Sequence, residues 1–96
     1  MGDFAIETSP GEVSLRGEFD LGNVEDLRAA LATAGESPDG GITVHLGELT
    51  FIDSSGLNEL IRPVQQGRRV ELRSCPEKVR RLLQVTGFET VLEIVD

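Results

Sequence analysis

Leu49-Thr50-Phe51-Ile52-Asp53-Ser54-Ser55-Gly56-Leu57 decides how this chain is read. An apolar run closes at Ile52. An acid, two hydroxyls and a glycine then precede Leu57, Leu60, Ile61 and Val64. Spacings of three and four make that second group one face of a helix, so a buried strand hands over to a helix at this point. The junction sets a serine on the first helical turn, where backbone N–H groups and the macrodipole favour negative charge. A phosphate on that serine would be tolerated by the fold. The same residue types also serve structure alone. A serine oxygen at a helix start accepts an orphan N–H, and losing such a cap costs about 1 kcal/mol. Gly56 permits a tight strand-to-helix turn. The residue types leave both readings open.

Upstream, Phe4 and Ile6 alternate with polar neighbours, Ser9-Pro10-Gly11 marks a turn, and Val13 and Leu15 alternate again. This predicts a short antiparallel hairpin. Gly17-Glu18-Phe19-Asp20 leaves its second strand. A helix follows from about Asn23 to Ala34, with Val24, Leu27 and Leu31 inward, Asn23 as N-cap, and Glu25 and Asp26 in the first turn. Gly35 to Gly41 forms a loop, and Ile42, Val44 and Leu46 a strand. Downstream of the junction, Gly67 ends the second helix and Val70 to Arg73 make a strand. Pro76 suits the first position of a third helix, with Val79, Leu82 and Leu83 inward and Gly87 as its stop. Val91 to Val95 is the last strand.

The order β-β-α-β-α-β-α-β defines an α/β domain spanning residues 1–96. Strands alternating with helices imply parallel pairing and right-handed crossovers. The expected architecture is a mixed, mostly parallel sheet with an N-terminal β-hairpin, strands in sequential order, and helices packed mainly on one face.

Composition narrows the function. Ninety-six residues, 39% hydrophobic and 27% charged, supply one ordinary globular core. No apolar run approaches the ~20 residues that cross a bilayer, so membrane insertion is not expected. The acidic N-terminus lacks the basic start of an export signal, and Ile6 stands where a myristoylation motif wants Ser or Thr. A single cysteine, Cys75, fits a reducing compartment, and the cytoplasm is the expected location. Cys75 lies near a helix start, where slight activation is expected, yet a lone thiol has no resolving partner.

The net charge of −8 argues against nucleic acid. Residues 1–61 hold 12 acids against Arg16 and Arg28, a balance of −10, while residues 62–96 hold seven bases against five acids, +2. The basic side chains read as a solvated face, and the acidic face suits steering toward a basic partner.

No catalytic constellation emerges. The Gly-x-Ser-x-Gly elbow and the phosphate-binding Gly-x-x-x-x-Gly-Lys loop are absent. His45 sits mid-strand, expected on the outer sheet face or satisfied locally. One Cys and one His are too few for a metal site. The expectation is a non-enzyme without cofactor or metal.

Asp53-Ser54-Ser55-Gly56-Leu57, preceded by Phe51-Ile52, resembles the signature of the STAS domain family, and within it the bacterial anti-sigma factor antagonists. Gly17-Glu18-Phe19-Asp20 is similar to that family's Gly-Glu-apolar-Asp at the end of the second strand. Val79-Arg80-Arg81-Leu82-Leu83-Gln84-Val85-Thr86-Gly87-Phe88 is similar to its last helix and glycine. The resemblance implies partner switching. The second serine, Ser55, would be phosphorylated by an anti-sigma factor that is itself a serine kinase, and restored by a serine phosphatase. Unphosphorylated protein would bind the anti-sigma factor and free the sigma factor. Asp20, Asp53, Ser54, Ser55, Gly56 and Leu57 would form the partner-binding site. Another branch of the family docks on an ABC-transporter ATPase in lipid transport, which is the alternative reading. Two departures from the family pattern stand out. The second helix is short and contains Pro63, where proline costs ~3 kcal/mol unless the helix bends or ends. The sequence also stops at Asp96, where many members continue into a further helix.

Overall fold

The computed structural model describes residues 3–95. Its elements are β1 (Phe4–Ser9), β2 (Glu12–Phe19), α1 (Val24–Ala34), β3 (Ile42–Ile52), α2 (Ser54–Gln65), β4 (Val70–Arg73), α3 (Glu77–Thr86), a 3-10 turn (Phe88–Thr90) and β5 (Glu93–Val95). The five strands form one sheet in the order β1-β2-β3-β4-β5. β1 pairs with β2 antiparallel, and every later pair is parallel. This is the mixed sheet with an N-terminal hairpin that the alternation of apolar runs implied.

Each strand shows one face to the helices. Val13 and Leu15 of β2, Ile42, Val44 and Leu46 of β3, and Val70 and Leu72 of β4 are buried. They join Leu27 and Leu31 of α1, Leu57, Leu60 and Ile61 of α2, and Val79 and Leu83 of α3 in one apolar cluster. The opposite sheet face carries Ser14, Thr43, His45, Glu71 and Arg73. His45 meets Glu12 there at 2.8 Å, Nε2 to Oε1, so its local satisfaction on the outer face is the observed state.

β3 runs unbroken through eleven residues, longer than simple alternation suggests. Its pairing with β2 slips twice, between Ser14↔His45 and Arg16↔Glu48, and again between Gly17↔Leu49 and Glu18↔Phe51. Each slip inserts one extra β3 residue, a β-bulge that shifts the side-chain phase by one. The buried positions therefore step by two through Ile42, Val44 and Leu46, then by three to Leu49 and Ile52. Phe51, read as part of the buried approach to the junction, is turned outward and 49% exposed.

Four further expectations need correction. Pro76 is the N-cap of α3 and Glu77 its first helical residue. Leu82 faces out, 36% exposed, because α3 buries only Val79 and Leu83. The last strand begins at Glu93: Gly87 stops α3 at φ 79°, and the chain then spends Phe88–Thr90 on a 3-10 turn, which leaves Val91 exposed. Asn23 does occupy the N-cap of α1, but its side chain makes no cap hydrogen bond. Pro63 is accommodated near the C-terminal end of α2, two residues before the helix closes at Gln65. There its missing N–H forfeits one helical bond, to the Glu59 carbonyl, and the helix ends within a turn. The Gly67 stop holds, at φ 85°.

Gly17 governs the hairpin. Its φ is 89°, and an added Cβ would run into the carbonyl of Asp3, the group that accepts a 3.0 Å hydrogen bond from Glu18 N–H. A left-handed backbone alone costs a non-glycine residue about 1–3 kcal/mol, and the clash adds to it. Gly17→Ala should lower the urea unfolding midpoint markedly. An unchanged midpoint would contradict this account of β1 pairing.

Candidate functional site at the β3–α2 junction

The junction is built from two strand ends. Phe19 pairs with Ile52, and the Phe19 carbonyl accepts a hydrogen bond from Asp53 N–H at 3.1 Å. That bond brings Asp20 and Asp53 to the same end of the sheet. Strand C-terminal ends are where parallel α/β sheets place their sites.

Asp53 is extended (φ −101°, ψ −175°) and caps α2. Its Oδ1 accepts from Gly56 N–H at 3.1 Å, and its carbonyl accepts from Leu57 N–H at 3.0 Å. The capping role considered for the two serines thus belongs to the acid before them. Ser54 and Ser55 become the first two helical residues, and α2 has no acidic residue in its first turn. Ser54 is exposed and Ser55 half-buried.

Gly56 is buried for a steric reason. A Cβ there would lie 2.8 Å from Ile52 Cγ1 and 3.5 Å from the Phe19 carbonyl oxygen. Leu57, 1% exposed, anchors the turn in the core. Asp20 closes its own turn: Oδ1 accepts from Gly22 N–H at 2.8 Å, and its N–H donates to Asn23 Oδ1 at 2.9 Å. Asn23 Nδ2 donates to the Glu18 carbonyl at 2.8 Å. The Asn23 side chain thus stiffens the loop carrying Asp20. All six site residues expected from sequence gather at this end of the β2–β3 pair or on the turn that follows it.

One turn further along α2 lies a feature that sequence reading missed. Glu59 is buried, and its carboxylate takes a two-pronged contact from Arg28 of α1, Nε to Oε1 at 3.0 Å and Nη2 to Oε2 at 2.9 Å. Arg62 adds Nε to Oε1 at 3.1 Å. Hydrogen bonding to Arg28 holds the Glu59 carboxyl below its ordinary 4.5, against the opposing effect of burial. The i, i+3 spacing of Glu59 and Arg62 was visible in the sequence, but the pairing with Arg28, 31 residues away, was not.

Cys75 is also corrected. It is buried, and burial pushes its thiol above the ordinary value, so it is less reactive than its place near a helix start implied. Among the described residues, no three His, Cys, Asp or Glu side chains converge as a metal site, and no helix is long and apolar enough to cross a membrane.

A family model described as "Mlab, STAS domain" matches residues 3–95. The chain belongs to the STAS domain family. BtrV of Bordetella bronchiseptica, assigned by name to the anti-sigma factor antagonists, is 30% identical over 86 residues, covering 85% of this chain and 74% of that protein. The anti-sigma-B factor antagonist of Bacillus subtilis is 25% identical over 87 residues, covering 86% and 79%. Among solved structures, the Bacillus anti-sigma factor antagonist SpoIIAA is 26% identical to this STAS domain. Its unphosphorylated form superimposes with a TM-score of 0.65, covering 98% of this chain and 88% of that one. Its phosphorylated form gives 0.60, covering 98% and 92%.

Two outcomes test the site's construction. Gly56→Ala should destabilise the domain by about 1–3 kcal/mol, as overpacking does against a buried β-branched side chain. Its unfolding free energy in denaturant is the check. Glu59 has a lowered folded pKa, so its contribution is complete above 4.5 and lost as pH falls through the folded value. Glu59→Gln should therefore flatten the fall of stability with pH below 4.5, and an unaltered pH profile would remove Glu59 from this role.

Proposed function

We propose that this STAS domain is an anti-sigma factor antagonist, switched off by phosphorylation of Ser55. The observation that carries the reading is the position of Ser55: second residue of α2, partly open to solvent, behind a cap supplied by Asp53. A phosphate there adds about −1.5 to −2 charge. The first-turn N–H groups and the helix dipole offset that charge for the domain itself. A protein docked over the junction receives no such compensation and meets the phosphate beside Asp20 and Asp53. Modification then ejects the partner without refolding the antagonist.

In this reading the domain performs no catalysis. Its partners are an anti-sigma factor with serine kinase activity and a serine phosphatase that reverses the modification. Asp20, Asp53, Ser54, Ser55, Gly56 and Leu57 form or shape the contact surface. BtrV, the anti-sigma-B factor antagonist and SpoIIAA support the assignment by their names. The existence of SpoIIAA in a phosphorylated form supports the switch.

Incubation with the cognate anti-sigma kinase and ATP should add one phosphate, mapped to Ser55 by mass spectrometry and absent from Ser55→Ala. Pull-down from the native cell should recover that kinase with the wild type and lose it with Ser55→Asp. Recovery instead of a transporter ATPase, indifferent to the substitution, would overturn the reading in favour of the lipid-transport branch.

A further inference from the structure

The sheet exposes three stretches of strand edge, and two of them are protected. β5 is only three residues long, and Arg69 pairs with its Glu93 at 2.9 Å. β3 runs past β4 beyond His45, but the two bulges bend that overhang and break its regular ladder. β1 is different. It spans six residues, Phe4-Ala5-Ile6-Glu7-Thr8-Ser9, with a continuous register, no proline, no lysine and one charge. Among the described residues only β2 pairs with it.

Glu18 N–H donates to the Asp3 carbonyl, so the antiparallel alternation directs the peptide groups of Ala5 and Glu7 at β2 and those of Phe4, Ile6 and Thr8 outward. Beside this edge, on the helix side, an open groove of about 610 Å³ runs between β1 and α1. Its walls are Phe4, Ile6 and Thr8 of β1 and Asp26, Ala29 and Thr33 of α1. The α1 wall is low because its side chains are short. Phe4, packed edge-on against Phe19 at 5.6 Å, is still 41% exposed in it.

We infer that a second copy of this chain adds its β1 to this edge, antiparallel and about a two-fold axis, joining two five-stranded sheets into one. The strand is self-complementary when centred on Ile6. Ile6 then faces its counterpart, Phe4 faces Thr8, and Glu7 faces Ala5 instead of another Glu7. The outward N–H and C=O groups of all three outward-facing residues become paired. Both copies' helices lie on the same face, so each Phe4 enters the other's groove at its Thr8 end. The contact is one short strand and a shallow groove, which makes a weak, concentration-dependent pair. The net charge of −8 on each copy opposes it, so added salt strengthens association. Reversal of strand direction across the axis sets the two Ser55 junctions at opposite ends of the joined sheet, clear of the contact. The inference is independent of the proposed function.

Sedimentation equilibrium over a concentration series, at low and high sodium chloride, tests it. The expected mass rises from 10.4 kDa toward twice that value, at lower concentration in high salt. Amide exchange at Ile6 and Thr8 should slow as the dimer forms. Thr8→Pro removes one outward donor, and Ala29→Arg fills the groove from an exposed helix position. Each should abolish the mass increase while leaving the far-ultraviolet spectrum unchanged. A mass fixed at the monomer under all conditions, or a dimer that survives both substitutions, overturns the proposal.

Discussion

The hydrogen bond from Asp53 N–H to the Phe19 carbonyl is the constraint on which the β3–α2 junction of this domain depends. It locks the last residues of β2 and β3 together after the second bulge has re-phased β3. With the strand end fixed, the Asp53 side chain is left free to turn over and take Gly56 N–H. That cap starts α2 one residue later and puts both serines inside the helix's first turn. Gly56 must be glycine because the turn closes directly on Ile52. Remove the strand-end bond and the acid loses its geometry, the cap its acceptor, and Ser55 its place at the dipole.

The orientation of α2 is set a turn later by a different kind of contact. A buried carboxylate between two guanidinium groups is an expensive arrangement, and its net stabilisation is small once desolvation is counted. Its effect is geometric. Glu59 ties α2 to Arg28 of α1 through two parallel hydrogen bonds, so the helix bearing Ser55 cannot roll against its neighbour without stranding a charge. The cap fixes where the helix begins and the ion pair fixes how it faces. A switch that works by charge alone needs both, since the surface it alters has to be presented in one orientation.

Most of the fold was legible because apolar periodicity survives wherever an element is regular. Val13 and Leu15, Ile42 to Leu46, and Leu57 to Val64 each declare their element by spacing alone. The failures have specific causes. Phe51 departs from expectation because two bulges break the two-residue period; Gly47 lies inside the first, but the second, at Thr50, has no glycine or proline on β3 to mark it. Leu82 was misplaced because α3 is narrow on its buried side. Val91 reads as strand because Val91 and Leu92 are apolar and run straight into Glu93-Ile94-Val95, and no residue type marks the end of the 3-10 turn before them. At the site, the Asp-Ser-Ser-Gly string announced a helix start, but which oxygen caps it depends on the backbone angles of Asp53, which no residue type specifies. The Glu59–Arg28 contact joins two helices and has no signature within either.

The central claim is that the first turn of α2 holds an anion at Ser55 at little cost to the domain, so that the charge acts on a partner. The unfolding free energy of the Ser55-phosphorylated protein, compared with the unmodified protein in the same denaturant, tests this most directly. The account predicts a difference within about 1 kcal/mol, the scale of a charge at a helix N-terminus. A loss of several kcal/mol would mean that the phosphate disrupts the fold itself, and would contradict it.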